Sequence, residues 1–335
     1  MYYDELSNTM DHLLQDGKGI LAADESNGTI GKRFASIGLD NTEENRKNYR
    51  LLLATTPELN QYINGVILFE ETFQNKDKDG KSVVELFTEQ GILPGIKVDM
   101  GLVDLANTEG EKVTQGLDGL TERLISFKAQ GAKFAKWRNV YSISEFTPSL
   151  SAMKTGAENL ARYAACCQAV GIVPIVEPEM LMDGEHSIEH CAEASEMVLH
   201  ELFKALFIHQ VELEHIILKP SMVTCGSNVK PFSTPEDIAD YTISVFRNTV
   251  PAAVPSINFL SGGQTPSQAT ANLNAINSTG YQPWTLSFSY GRALQEDCIK
   301  AWGGKDANIE AAQAALLNRA RLNSLACFGE YTDEL

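Results

Sequence analysis

Short apolar runs separated by amphipathic stretches set the rhythm of this chain. Eight of them recur, at residues 19–23, 65–69, 95–98, 133–137, 173–176, 216–219, 256–260 and 285–289. Runs this short, apolar at consecutive rather than alternate positions, are the pattern of strands buried on both faces, as in a parallel sheet. The stretches between them return apolar residues at helical spacing, clearly so at 187–208 after the fifth run and at 235–247 after the sixth. Strand-helix alternation repeated eight times predicts parallel strands joined by crossovers. A closed (β/α)8 barrel, the TIM barrel of the α/β class, accommodates it better than an open doubly wound sheet. No Pro/Gly/Ser-rich linker divides the chain, so residues 1–335 are expected to form a single domain. Its end, 329–335, is acidic and small with little apolar surface, and is expected to be a loosely held tail.

Composition narrows the function classes. With 335 residues and 43% hydrophobic content the chain can bury a large core. Lys and Arg number 27 against 44 Asp and Glu, a formal charge of -17, which argues against a nucleic-acid or anionic-membrane surface. An anionic ligand would need a local basic pocket. The amino terminus, Met1-Tyr2-Tyr3-Asp4-Glu5-Leu6, has no basic or apolar leader pattern, and no stretch approaches the ~20 apolar residues of a membrane span. A cytoplasmic protein is expected. The six cysteines show no C-x-x-C and read as reduced packing residues. Neither a Gly-x-Gly-x-x-Gly nor a Walker loop occurs, which removes the usual dinucleotide and P-loop readings.

A barrel carries its site at the carboxyl ends of its strands. Those ends hold Asp24, Glu70, Lys97 with Asp99, Lys136 with Arg138, Glu177 with Glu179, Lys219, Ser261-Gly262-Gly263 and Ser289-Tyr290-Gly291-Arg292. Side chains alternate with period two, so Lys136 shares a face with Arg138, and Glu177 with Glu179. Lysines and acids then converge on one opening. The glycine-bearing turns after the seventh and eighth strands, with Arg292, have the placement and the backbone N–H groups of a barrel phosphate site. Ser26, Thr29 and Arg33 after the first strand, with Lys97, suggest a second anion site. Two such sites imply a bisphosphate-sized substrate.

Lys219 ends the run Ile216-Ile217-Leu218-Lys219-Pro220. A lysine there either snorkels to solvent or is kept desolvated for chemistry, and the other charged strand ends favour chemistry. An ordinary lysine is neutral in only about one molecule in 2,500 at pH 7, a deficit of roughly 4.6 kcal/mol. Burial and a neighbouring cation such as Lys136 both favour the neutral amine, which can attack a ketone. The resulting iminium is an electron sink that needs no metal and no other cofactor. Glu177 is placed to shuttle protons, with Asp24 or Glu179 taking the hydroxyl proton whose loss breaks a carbon-carbon bond.

These residues stand in motifs that resemble class I, or Schiff-base, fructose-bisphosphate aldolases over nearly the whole chain. The motifs are Gly19-Ile20-Leu21-Ala22-Ala23-Asp24-Glu25-Ser26, Asn41-Thr42-Glu43-Glu44-Asn45-Arg46, Gly95-Ile96-Lys97-Val98-Asp99, Phe134-Ala135-Lys136-Trp137-Arg138, Val176-Glu177-Pro178-Glu179, Leu218-Lys219-Pro220, Leu260-Ser261-Gly262-Gly263-Gln264 and Ser289-Tyr290-Gly291-Arg292. The resemblance implies reversible cleavage of fructose 1,6-bisphosphate to dihydroxyacetone phosphate and glyceraldehyde 3-phosphate. It makes Lys219 the Schiff-base lysine and Glu177 the general acid/base, assisted by Asp24, Lys136 and Glu179. It places the ketose phosphate on Ser261, Gly262, Gly263, Ser289, Gly291 and Arg292, and the other phosphate on Ser26, Thr29, Arg33 and Lys97, with Arg46 and Arg138 also toward substrate. It implies a homotetramer, without cofactor or metal. Three departures stand out: Thr29 where serine is common, Met100 where lysine is frequent, and an end at Thr332-Asp333-Glu334-Leu335 where relatives carry a mobile segment with a terminal tyrosine. Two other classes compete. A metal-dependent aldolase or hydrolase would want clustered ligands, and only His186 and His190 have helical i, i+4 spacing. A non-catalytic sugar-phosphate binding protein on the same barrel would keep the phosphate turns and have no use for Lys219 beside Lys136 and Glu177.

Overall fold

A computed structural model describes residues 2–332. Eight parallel strands close into a barrel in chain order: β1 Gly19–Ala23, β2 Ile63–Leu68, β3 Leu93–Lys97, β4 Phe134–Tyr141, β5 Val173–Met180, β6 Ile217–Leu218, β7 Ser256–Phe259 and β8 Thr285–Tyr290. The ring is completed where β8 pairs with β1, Ile20 opposite Ser289 and Leu21 opposite Tyr290. The fold is a single-domain (β/α)8 barrel, as the alternation of runs predicts.

Lumen and outer face are separated by the two-residue period of each strand. Ile20, Ala22, Ile67, Phe134, Val173, Ile175 and Ile217 form an inner apolar cluster at the strand starts. Two residues further along the same faces stand Asp24, Lys136, Glu177 and Lys219. The lumen is therefore apolar below and charged above. Phe134 fills so much of the lower layer that a Cβ on Gly95 would lie 2.2 Å from its ring, so a bare backbone is required there.

An element that the run pattern did not single out closes the bottom. The amphipathic helix Tyr3–Leu13 inserts Leu6, Met10 and Leu13 into the inner cluster, and the Asn64 side-chain amide donates to the Leu13 carbonyl at 2.9 Å. Outside the ring a continuous second core joins the outer strand faces to the crossover helices. The helix Ile188–Ile208 starts where Ser187 accepts the His190 N–H, and Pro235–Thr249 starts at a Thr234/Asp237 capping box with Pro235 in its first turn. Strands β4 and β5 run past the expected ends at 137 and 176, because charged lumen residues continue the ladder where apolar patterning stops. An unforeseen antiparallel hairpin, Leu102–Asp104 with Lys112–Thr114, stands between β3 and β4.

Within the tail expected to be loosely held from 329, one residue is docked. After the helix Ile309–Cys327, Tyr331 is buried in the outer core and its N–H donates to the Asn274 side chain at 2.9 Å. One aromatic ring supplies the apolar surface that the segment's acidic composition seemed to deny it. Residues 333–335 of that expectation lie outside the described residues.

Candidate active site

The strands end in a cavity of about 970 Å³ at the carboxyl face of the barrel. Its wall holds Asp24, Ser26, Thr29, Arg33, Lys97, Lys136, Arg138, Glu177, Glu179, Lys219, Ser261, Gly262, Ser289, Gly291 and Arg292. Two of the candidates do not reach it. The Arg46 guanidinium is taken up by Glu71, at 2.8 and 2.7 Å, and Gly263 faces Met182 instead. Two wall residues that strand-end reading did not pick are Glu25 and Arg123, while Asp99, noted there beside Lys97, also lines the wall. Glu25 was passed over because period-two alternation turns it away from Asp24's face, and Arg123 because it lies on the helix Leu120–Ala129 with no strand-end signal.

At the centre two lysines share one carboxylate. Glu177 Oε1 lies 3.2 Å from Lys219 Nζ, and Oε2 lies 3.3 Å from Lys136 Nζ. All three are buried, at 4%, 3% and 3% exposure. Lys136 also meets Asp24 at 2.8 Å and Asp99 at 3.8 Å, so three carboxylates surround it, whereas Glu177 is the one carboxylate paired with Lys219 among the described residues. Burial alone would favour a neutral Lys136, but Asp24, Glu177 and Asp99 outweigh it and hold the ammonium well above its ordinary range. Burial would likewise raise both acids. Lys136 and then Lys219 outweigh it, keeping Asp24 and Glu177 below the usual carboxylate range. Arg138 pairs with Glu179, and Lys97 with Asp99, which arranges the cations and anions of the rim in couples.

Anion-attracting backbone surrounds this centre. Gly262 adopts φ +51 in the turn after β7, and Arg292, the first residue of the helix Arg292–Trp302, donates to Gln264 O at 2.7 Å. The Ser289 hydroxyl, 1% exposed, has no hydrogen-bond partner in the cavity wall. Across β1, Ser26 stands at the N-cap position of the helix Asn27–Ala35 with its hydroxyl turned to that of Thr29, at 3.2 Å, rather than to a helix N–H. In a chain of net charge -17 the wall carries seven basic side chains against six carboxylates, a local reversal that favours an anionic ligand.

A (β/α)8 barrel with buried, carboxylate-bridged lysines between two anion-attracting rims is the frame of a lysine-based enzyme for small phosphorylated substrates. The profile of the family described as fructose-bisphosphate aldolase class-I matches residues 5–335. Fructose-bisphosphate aldolase 2 of Caenorhabditis elegans is 55% identical over 332 residues, covering 99% of this chain and 91% of that one. Fructose-bisphosphate aldolase 5, cytosolic, of Arabidopsis thaliana is 54% identical over 332 residues, covering 99% and 92%. A solved structure of fructose-bisphosphate aldolase from Plasmodium falciparum, in complex with TRAP and a small molecule inhibitor, superposes with a TM-score of 0.98 at 49% identity, covering 99% of this chain and 96% of that one. The chain belongs to the class I fructose-bisphosphate aldolase family, metal-independent lyases. Relatives at 53–56% identity over nearly the full chain support class I aldolase function. Both cytosolic and chloroplastic relatives occur among them.

Proposed function

We propose that Lys219 forms the Schiff base through which fructose 1,6-bisphosphate is cleaved. Glu177 takes a proton from the Lys219 ammonium, the neutral amine attacks the C2 ketone, and the carboxylic acid so formed returns that proton to the departing hydroxyl of the carbinolamine, so that water leaves to give the iminium. One of the carboxylates Asp24 and Glu179 then takes the C4 hydroxyl proton. The C3–C4 bond breaks, its electron pair enters the iminium as an enamine, and glyceraldehyde 3-phosphate departs. Protonation at C3 and hydrolysis release dihydroxyacetone phosphate. Lys136 remains the fixed cation that keeps Asp24 and Glu177 ionised between steps. Ser261, Gly262, Ser289, Gly291 and Arg292 hold the ketose phosphate, while Ser26, Thr29, Arg33 and Lys97 face the other, Arg33 reaching toward the Gly291 turn, with Arg138 beside Glu179.

The observation that carries this reading is the bridge of Glu177 between the two lysines, which gives Lys219 a proton acceptor at 3.2 Å inside a buried site. Borohydride in the presence of dihydroxyacetone phosphate should inactivate the protein irreversibly, with mass spectrometry placing the adduct on Lys219. Labelling at another lysine, or full turnover by Lys219→Ala, would sink the assignment. Two further parts of the reading are assembly as a homotetramer, which rests on the family resemblance, and residence in the cytoplasm, which the cytosolic relatives support. Sedimentation of the purified protein tests the first, and fractionation of the source cells tests the second.

A further inference from the structure

Beneath the cavity wall lies a buried polar cluster that none of the steps above uses. Glu25, Arg50, Gln295 and Tyr49 meet there, drawn from the end of β1, the helix Glu43–Ala54 and the helix Arg292–Trp302. Glu25 receives the Arg33 guanidinium on Oε1 and the Arg50 guanidinium on Oε2, the latter at 2.9 Å. Arg50 is 4% exposed, and also donates to the Glu25 carbonyl at 3.4 Å. The Gln295 amide donates to Glu25 Oε1 at 2.9 Å, Ala22 O at 2.9 Å and Gly291 O at 3.2 Å, and its oxygen accepts the Tyr49 hydroxyl at 3.2 Å. One side chain thus ties the end of β1 to the turn after β8.

Charge makes this more than a packing device. A single carboxylate faces two guanidinium groups, and no other carboxylate pairs with either among the described residues. One positive charge is left over, and it belongs to Arg33, the member of the pair that lines the cavity. Arg33 also stands close to the phosphate turn, its Nη2 3.6 Å from where a Cβ on Gly291 would be. Without Arg50, Glu25 would be matched one to one with Arg33 and would neutralise it. With Arg50 in place, the Arg33 charge remains available to a ligand.

We infer that Arg50 and Gln295 are positioning residues, which act through Glu25 to hold the Arg33 guanidinium and the Gly291 turn ready for one phosphate group. The inference rests on the phosphorylated-substrate reading above but not on the lysine chemistry. It predicts that the three arginine and glutamine contacts form one unit, so that removing two of them costs little more than removing one.

The test is equilibrium binding of inorganic phosphate and of dihydroxyacetone phosphate to the full chain, measured by calorimetry for Arg33→Ala, Arg50→Met, the double variant and Gln295→Leu. Arg50→Met should weaken both ligands about tenfold, Arg50→Lys should restore most of the loss, and the double variant should bind no worse than about twofold below Arg33→Ala alone. In turnover assays of Arg50→Met and Gln295→Leu the change should fall on KM, with kcat at saturation within about twofold. Borohydride trapping of unphosphorylated dihydroxyacetone, which has no phosphate to lose, should be unchanged. If Arg50→Met does not fold, Gln295→Leu gives the same reading. Additive losses in the cycle, or equal loss of trapping with and without the phosphate, would overturn the inference, as would a wild-type chain that binds no phosphate. Phosphate binding without aldol turnover would overturn the proposed function and leave this inference standing.

Discussion

Replacing Lys136 by methionine would keep most of the unbranched stem and remove the charge that Asp24, Glu177 and Asp99 all face. Stranded buried carboxylates are costly, so Lys136→Met should lose about 3–5 kcal/mol of stability at pH 7. The pH dependence has a definite sign. In the wild type, Asp24 and Glu177 are held below their ordinary range, so they contribute stability that is present above the unfolded carboxylate pKa and lost as pH falls through the lowered values. In the variant burial dominates, the acids rise, and protonation relieves them. The gap between the two proteins should narrow from pH 7 to pH 5 in urea unfolding, and a constant gap would show that the loss comes from packing. Arg292→Ala tests the phosphate rim, where the guanidinium is already oriented by Gln264 O at 2.7 Å. Loss of a charge-assisted contact should weaken dihydroxyacetone phosphate by about 2 kcal/mol or more, read by calorimetry. Unchanged affinity would move the phosphate site elsewhere. At this scale the sequence was informative wherever a residue ended a strand, because period two dictates which way it points. It was silent on Gln295, whose contact with Glu25 spans 270 positions and follows no local rule.

At the scale of elements, the eight runs mark the eight strands because a strand buried on both faces must be apolar along its length until it reaches the mouth. The same logic hid the last residues of β4 and β5, where lumen charges interrupt the pattern. The helix Tyr3–Leu13 escaped because its amphipathic face matches that of the crossover helices and nothing local says that it closes a barrel bottom. Tyr331 escaped because one aromatic in an acidic stretch carries no period. Its placement bears on catalysis. Asn274, which its N–H contacts, lies eight residues beyond Pro266 on the helix Pro266–Asn277, about 12 Å from the end that follows the Ser261-Gly262 turn. Tyr331 is therefore docked away from the mouth. Tyr331→Ala should cost about 3 kcal/mol of stability, the scale of an aromatic core truncation, while turnover changes less than tenfold. A large fall in turnover at unchanged stability would show that the ring takes part in proton transfer after all.

For the whole molecule, two pH effects pull in opposite directions, and their balance sets where the fold is most stable. A formal charge of -17 makes the compact state repel itself near neutrality. Protons taken up on the way to pH 5 lower that net charge and with it the repulsion. His186 is the exception, since burial, and then the proximity of His190, keeps it below the usual imidazole range, and a depressed histidine costs stability as pH falls. Further acidification turns the balance, because Asp24, Glu25 and Glu177 all sit below their ordinary range through buried lysine or arginine partners, and their contribution is lost below about pH 4. The melting temperature should therefore rise slightly from pH 8 to about pH 5.5 and fall steeply below pH 4. Added salt should flatten the upper limb, since screening acts on exposed charges over about 10 Å, and should leave the acid limb nearly in place because the pairs behind it are buried. A melting temperature that falls steadily from pH 8 to pH 5 would mean that a buried group such as His186, rather than surface repulsion, governs the neutral range.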